Sequence, residues 1–539
     1  PQLRLLADWD GQPGYESMAG DELLLVPGQS GRLRVEVQGA LGATVFLYRS
    51  PGRSIGPYWS ASVDALDFVA EVELQSTERN EWIYAEVRGV GEVDAVPTEA
   101  LQNPLLLIEP GLGTDERRAI TAPLFFGPTL AQPQGADSLP PDQGIDDGAR
   151  LALGEQGAFA GFPDVAQADG LLHLVAEQHT PGQTQVWYRA LDGSAAQKLS
   201  GGSTSARFPR VAARGAEVWV VWQDERAGQI PRRPAIYLRH STDRGRSWGP
   251  EQLLRAVDGR AEKPAIAVGP RGEPGIVWQE IAPGTAFDIW FQQGLQGEAI
   301  NLSAAGKSTA PDDGIDTRSA LYPASIWPQI SASSQGRFAV VFQDNRHDPD
   351  PLWTSGPVRG EEGATEVDDY QIGVLTRAAD GAWTQTQWLG AADRIDAHPD
   401  VEFAADGSLL VVWDSRILQP AGANLSIRWA HSSDGAQWLL STEGIAEAAE
   451  HMSQYPRLGL DADGQPRVVW YDGRSADWRW RIATTRWQGQ GWGQLQLLPS
   501  LGNNTWPATA GGALVFASTR HARRWQRDPT QQIVWKEGP

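Results

Sequence analysis

Tyr455-Pro-Arg-Leu-Gly-Leu-Asp-Ala-Asp-Gly-Gln-Pro-Arg-Val-Val-Trp470-Tyr-Asp-Gly-Arg474 is the stretch whose reading decides the fold. A residue followed by proline opens a short alternating strand. A Gly-containing turn comes next, then a second strand with two adjacent aliphatics and an aromatic. The same order recurs from Phe162-Pro163-Asp-Val, Phe208-Pro209-Arg-Val, Lys263-Pro264-Ala-Ile, Trp327-Pro328-Gln-Ile, His398-Pro399-Asp-Val and Trp506-Pro507-Ala-Thr. The prolines are spaced by 46, 55, 64, 71, 57 and 51 residues, the variation that loop insertions produce on a constant scaffold.

Trp222, Trp278, Phe342, Trp413 and Phe516 stand at the place of Trp470 and are expected to pack between repeats, which absorbs much of a content of 24 Trp. A third strand follows each second one, and a fourth, weaker strand follows in six of the seven repeats. Four short strands per repeat of roughly 45 residues is the pattern of a β-propeller. The seventh repeat ends after its third strand. Arg150 to Leu153 reads as a strand that would supply the missing outer edge, because an open blade exposes unpaired backbone groups. The expectation is a seven-bladed β-propeller over residues 150–539, closed by that N-terminal strand, with six blades as the main alternative and eight as another.

Residues 1–110 lack the repeat but alternate as strands, for example Arg32-Leu-Arg-Val-Glu-Val, Ala43-Thr-Val-Phe-Leu-Tyr and Trp82-Ile-Tyr-Ala-Glu-Val. They predict an antiparallel, Ig-like β-sandwich, so the whole chain is read as all-β. Residues 111–149, rich in Pro, Gly and Asp, predict a linker that partly wraps the propeller.

Composition narrows the function classes. The charge of 45 − 67 = −22 argues against nucleic acid or an anionic membrane as partner. No apolar run reaches the roughly 18 residues of a membrane span. Cysteine is absent, which excludes disulfides, thiolate metal sites and a cysteine nucleophile. The chain begins at Pro1 with neither an initiator Met nor a signal-peptide pattern, and is read as a processed product or a fragment.

Ser241-Thr-Asp243-Arg-Gly245-Arg-Ser-Trp248 matches the Asp-box, with Ser432-Ser-Asp434-Gly435-Ala-Gln-Trp438 one residue shorter and Asp380-Gly-Ala-Trp383 a remnant. With the strand pattern, residues 150–539 resemble sialidase-like (BNR-repeat) propellers. In such a turn the Asp bonds amides, the Gly takes a positive φ and the Trp packs under the blade. Catalytic sialidases add an arginine trio, a Tyr–Glu nucleophile pair, an Asp acid/base and a Phe/Tyr-Arg-Ile-Pro motif. That motif is missing here and no tyrosine matches the nucleophile, so no catalytic residue is carried over. The strings Leu3-Arg-Leu-Leu-Ala-Asp-Trp-Asp-Gly11, Ser17-Met-Ala-Gly-Asp21, Trp82-Ile-Tyr-Ala-Glu-Val-Arg88 and Thr98-Glu-Ala-Leu-Gln-Asn-Pro104 resemble the β-sandwich that follows the catalytic domain of PHP-type metal-dependent phosphoesterases. The resemblance implies a metallohydrolase domain upstream of Pro1.

The ends of the second strands carry the candidate site: Asp224 with Arg226, Asp344 with Arg346, Asp414 with Arg416, Asp472 with Arg474, and Arg520. Read as ligand groups, the arginines converge on an anion through bidentate contacts. Read structurally, each Asp–Arg pair is an ion pair tying a blade to its neighbour. The long insertions Ala304 to Ile326, His347 to Tyr370 and Gln419 to Asn424 fall on the same face. A glycosidase carboxylate pair could be drawn from Asp396, Asp400 and Glu402. The histidines have no HExxH spacing; His347-Asp348-Pro-Asp350 is a metal-clip candidate or a solvated loop. Pro311-Asp-Asp-Gly-Ile-Asp316 and Pro141-Asp-Gln-Gly-Ile-Asp146-Asp147 are candidate Ca²⁺ loops or ordinary turns, and no cofactor is required. The leading expectation is a non-catalytic binding module for a glycan, another anionic ligand or a protein partner. The alternatives are a sialidase-like glycoside hydrolase and the accessory part of a secreted PHP-type phosphoesterase. The protein is expected to be secreted or periplasmic, and bacterial.

Overall fold

The computed structural model describes residues 2–9, 17–18, 22–38, 40, 42–49, 58–77, 81–88, 117–121, 124–127, 148–154, 159–180, 183–202, 204–226, 233–282, 285–307, 324–347, 370–390, 394–417, 425–441, 443–445, 452–473, 480–499, 502–520 and 531–538. Among them there is no helix, and the chain divides into two compact units.

The first unit is the expected sandwich. One sheet runs Ser17–Met18, Gln2–Asp8, Ser30–Gln38, Asp67–Gln75. The other runs Glu22–Leu24, Leu124–Gly127, Glu81–Arg88, Thr44–Arg49, Trp59–Ser62. Alternation puts Leu33, Val35 and Val37 of one sheet and Val45, Leu47, Ile83 and Ala85 of the other into a shared core. Two expectations are corrected. Leu124–Gly127 and Arg117–Ile120 both pair with Glu81–Arg88, so the sandwich extends past residue 110 into the segment read as linker. Leu124–Gly127 also runs parallel to Glu22–Leu24, so the sheets are not wholly antiparallel. The Phe125-Phe126 pair inside a Pro- and Gly-rich stretch explains this, because Phe126 is buried beside Trp9 in that core.

The second unit is a β-propeller: among the described residues five four-stranded sheets and one eight-stranded sheet make up seven blades of four strands. Its inner strands are Phe159–Ala168, Thr204–Arg214, Arg260–Val268, Ser325–Ala332, Arg394–Phe403, Ser453–Leu460 and Asn504–Ala510. Each lies against the next, and the last lies against the first, so the ring closes. The seventh blade is completed from outside: Arg150–Leu153 pairs antiparallel with Gln532–Glu537, as expected. One parallel bridge, Thr184 to Ser205, joins the first two blades into one sheet.

Burial between blades holds the ring. Trp222 shares a buried cluster with Val186 and Tyr188 of the preceding blade, Trp278 with Ile236 and Leu238, Trp413 with Ile372 and Val374, and Phe516 with Val469 and Ile482. Each fully buried aromatic of this kind removes apolar area worth about 2–3 kcal/mol from water.

Candidate functional site

The two repeated signatures, the X-Pro step and the second-strand aromatic, form one structural device. In every blade the ladder between first and second strands slips at the X-Pro step. Arg207 faces Gln223 and Arg210 faces Val221, so Phe208 and Pro209 together stand opposite Trp222. The same bulge recurs in the other six blades. Proline fits there because it has no N–H to offer the ladder. The residue before it adopts the left-handed region, with φ between 46° and 54° at Phe162, Phe208, Lys263, Trp327, His398, Tyr455 and Trp506. That conformation costs about 1–2 kcal/mol per non-glycine residue.

The strain re-aims seven side chains to one place, two to four residues in from the N-terminal end of each inner strand. Ring centroids lie 5.0 Å apart for Phe162–Phe208, 4.3 Å for Phe162–Trp506, 4.4 Å for Tyr455–Trp506, 3.8 Å for His398–Tyr455 and 5.0 Å for Trp327–His398. Trp327 also approaches Tyr455 at 6.2 Å and Phe208 at 6.3 Å, although neither belongs to an adjacent blade. Only residues at the axis can meet across a blade in this way. Lys263 fills the remaining place with its Nζ 3.2 Å from the Trp327 ring centroid, a cation–π contact. All six rings are half-buried.

A second repeated feature holds the strained backbone. The residue after the second-strand aromatic reaches into the next blade and accepts the N–H of its X residue. Glu177 takes Phe208 N–H at 2.7 Å, Gln223 takes Lys263 at 3.0 Å, Gln279 takes Trp327 at 3.0 Å, Gln343 takes His398 at 2.9 Å and Asp414 takes Tyr455 at 2.9 Å. Sequence reasoning missed both the aromatic circle and these latches. The signal was present, since five of the seven X residues are aromatic and five second-strand aromatics or their equivalents are followed by Gln, Glu or Asp.

Two positions further along the inner strands the axis becomes charged. Arg457 pairs with Asp400 at 2.9 Å and with Asp164 at 3.1 Å, joining the fifth, sixth and first blades. Burial pulls the Arg210 guanidinium down to about 10, with Arg457 acting in the same direction and Asp164 opposing. Glu402 accepts from Ser331 Oγ at 2.7 Å; burial pushes its carboxyl up to about 7, although part of its surface stays accessible. Asp400 is thus ion-paired across blades, and Glu402 is hydrogen-bonded to Ser331 of the preceding blade. Asp396 is fully buried.

The Asp–Arg candidates separate into two groups. Arg226, Arg346 and Arg520 occupy equivalent places, four residues after Trp222, Phe342 and Phe516. Arg226 pairs with Asp224 and Glu251 and donates to Gly201 O of the preceding blade. Arg346 grips Asp344 at 2.8 Å and donates to Ser303 O and Ala305 O of the preceding blade. Arg255 and Glu280 make the same seam with the charges exchanged, at 2.7 Å. Arg520 donates to Ser518 Oγ. Asp472 accepts from Trp470 Nε1 and Ser453 Oγ. Burial raises Asp224 to about 6. Arg226 and Arg346 each reach across to the preceding blade, whereas the partners named for Arg520 and Asp472 lie in their own blades. Asp414 and Arg416 stand one place earlier than the alignment with Asp224 and Arg226 assumed. Asp414 pairs with Ala397, as Gln343 pairs with Ile326, which makes it a latch at the axis. Arg416 pairs in the ladder with Leu425 and Ile395. Arg474 lies outside the described residues.

The two Asp-box turns are closed by their own side chains. Asp243 accepts from Ser241 Oγ, Ser247 N–H and Ser247 Oγ, which hold it down at about 2. Gly245 has φ +78°, and a Cβ there would lie 1.9 Å from Tyr188 Oη. Trp248 packs edge-on to Tyr188 at 4.8 Å. In the shorter copy Asp434 accepts from Ser432 Oγ, Ala436 N–H and Gln437 N–H, Gly435 has φ +80°, and Trp438 Nε1 donates to Gln387. His347 contacts Gln371 and Trp388, while Asp348 and Asp350 of the metal-clip candidate lie outside the described residues, as do both candidate Ca²⁺ loops. Among the described residues no cluster of three or more His, Asp or Glu groups is placed to hold a metal, and no helix is long and apolar enough to cross a membrane.

No family model and no curated protein matches this chain. Solved structures do. A protein of unknown function from Dyadobacter fermentans is 11% identical over 63% of this chain and 96% of its own, with a TM-score of 0.40. A Penicillium chrysogenum α-L-arabinanase complexed with arabinobiose is 13% identical over 62% and 93%, with a TM-score of 0.39. Trypanosoma rangeli sialidase is 12% identical over 70% and 54%, with a TM-score of 0.36, so this chain spans about half of it. The propeller assignment rests on this chain's own strand pairing. The PHP-type likeness of the N-terminal strings gains no support from any of these comparisons.

Proposed function

We propose that the propeller is a non-catalytic binding module that receives a neutral sugar unit of a glycan on the aromatic circle at its axis. The observation that carries this reading is the convergence of six half-buried rings, each held in strained backbone by its own bulge. Strain maintained at every blade for one constellation marks a functional place. Flat rings offer stacking area to the C–H face of a sugar, as aromatic platforms do for other planar ligands. Two cations beside the circle are already matched by acids, which lessens the pull on an anionic ligand, while Lys263 in the circle itself stacks on Trp327. Arg207 is paired with Glu177, and Arg457 with Asp400 and Asp164. The charge of −22 disfavours polyanions further. The acids argue against hydrolysis. Glu177 and Asp414 are latches and Asp400 is ion-paired, so no two of them stand free across a substrate. A secreted or periplasmic location fits a glycan ligand.

The test is calorimetric titration of the chain with xylotetraose, mannotetraose and cellotetraose, repeated with Trp327→Ala. Binding of at least one, weakened about tenfold or more by the substitution, supports the reading. Absence of binding, or turnover of a fluorogenic glycoside by the purified chain, overturns it.

A further inference from the structure

Glu177 and Asp414 hold the same ladder place in the first and fifth blades, and both are joined by a histidine. The two pairs differ in what they leave over. His179 uses both ring nitrogens, Nε2 on Glu177 at 3.0 Å and Nδ1 with Thr184 Oγ1 at 3.2 Å. His398 uses one: its Nδ1 lies 2.9 Å from Asp414 Oδ2, which also accepts the Tyr455 N–H. A carboxylate oxygen that takes an amide proton is an acceptor, so Nδ1 carries the proton and the neutral ring leaves Nε2 as an acceptor. Nε2 has no partner among the described residues and is not one of the enclosed polar atoms. The side chain is 21% exposed, with its ring between Trp327 and Tyr455. Trp327 and Trp506 carry only indole N–H donors, so His398 is the one member of the circle whose ring nitrogen can accept a hydrogen bond beside the stacking rings.

We infer that His398 selects and orients the ligand by accepting a sugar hydroxyl at Nε2, and that Asp414 is the positioning residue that fixes its tautomer. This rests on the sugar-binding reading above and deepens it. Stacking alone tolerates any flat apolar face, because it carries no directional information. One directed acceptor, locked against rotation by Asp414, discriminates a hydroxyl from its absence. An apolar ring in this position would lose that discrimination and keep the stacking.

The experiment uses the full chain and the three tetrasaccharides named above. His398→Ala is expected to weaken the best-bound one about tenfold and to reduce the preference among the three, and Asp414→Asn to produce a smaller loss of the same kind. His398→Gln, which restores a polar acceptor, covers the case in which the alanine variant does not fold. The ¹⁵N resonances of His398 supply a readout that a purely structural role leaves unmoved. Saturation with the sugar should shift Nε2 more than Nδ1, and Asp414→Asn should disturb the Nδ1–H tautomer in the free protein. Tight binding that Trp327→Ala weakens but His398→Ala and His398→Gln leave unchanged overturns this inference alone. Absence of binding by the wild-type chain overturns the functional reading and this inference with it.

Discussion

At the scale of single residues, Gly245 separates two effects that glycines often confound. It has φ +78°, and its missing Cβ would overlap Tyr188. Gly170 has φ +77° and nothing within 4 Å of a Cβ. Gly170→Ala is expected to cost only the left-handed backbone, about 1 kcal/mol. Gly245→Ala adds displacement of a buried ring and is expected to cost at least about 2 kcal/mol more, both measured by urea unfolding. Equal costs would remove Tyr188 from the account of the Asp-box. Glu402 carries a pH prediction. Its folded value of about 7 lies above the ordinary glutamate value, so the folded chain holds a proton that the unfolded chain has released. Stability therefore falls as pH rises between roughly 4.5 and 7, by at most about 3 kcal/mol. Glu402→Gln should flatten that slope and be more stable than the wild type above pH 7. The Asp-box residues were legible from sequence because the turn is local. Glu402 was legible only as one of three acids near the fifth inner strand, and its raised value was not, because its environment is assembled from several blades.

At the scale of elements, the X-Pro bulge is the unit that builds the site. Its strained residue is tied across a blade boundary by the latch, so removing a latch leaves a part-buried amide without its acceptor. Gln279→Ala, which unties Trp327, is expected to cost about 1–3 kcal/mol. Gln279→Glu keeps an acceptor and should cost less. A loss no greater for alanine than for an exposed glutamine would contradict the latch. The proline-led strands and their aromatics could be read from sequence because each is a local pattern. Their pairing across the bulge could not, because a two-against-one bulge changes register, and register belongs to two strands at once. This is why Asp414 was aligned with Asp224. The string Trp-Asp-Ser-Arg lacks the glutamine of Trp-Gln-Asp-Glu-Arg, and only the pairing of Asp414 with Ala397 identifies it as the latch.

At the scale of the whole propeller, closure was legible because the seventh repeat lacks a fourth strand and Arg150 to Leu153 supplies one. The axis was not legible, because seven residues spread from 162 to 506 become neighbours only when the ring closes. Asp224 with Arg226 and Asp344 with Arg346, conspicuous in sequence, sit in two different interblade seams, while the quieter residues before the prolines meet at the centre. That convergence is the central claim, and the absence of cysteine allows a clean measurement. Trp327 and Tyr455 belong to blades that are not adjacent, yet their rings lie 6.2 Å apart. A chain carrying Trp327→Cys and Tyr455→Cys, treated with a short rigid bismaleimide, is predicted to form an intramolecular cross-link in high yield when native and to lose it in urea. Modification of both thiols in the native chain without a cross-link would contradict the account.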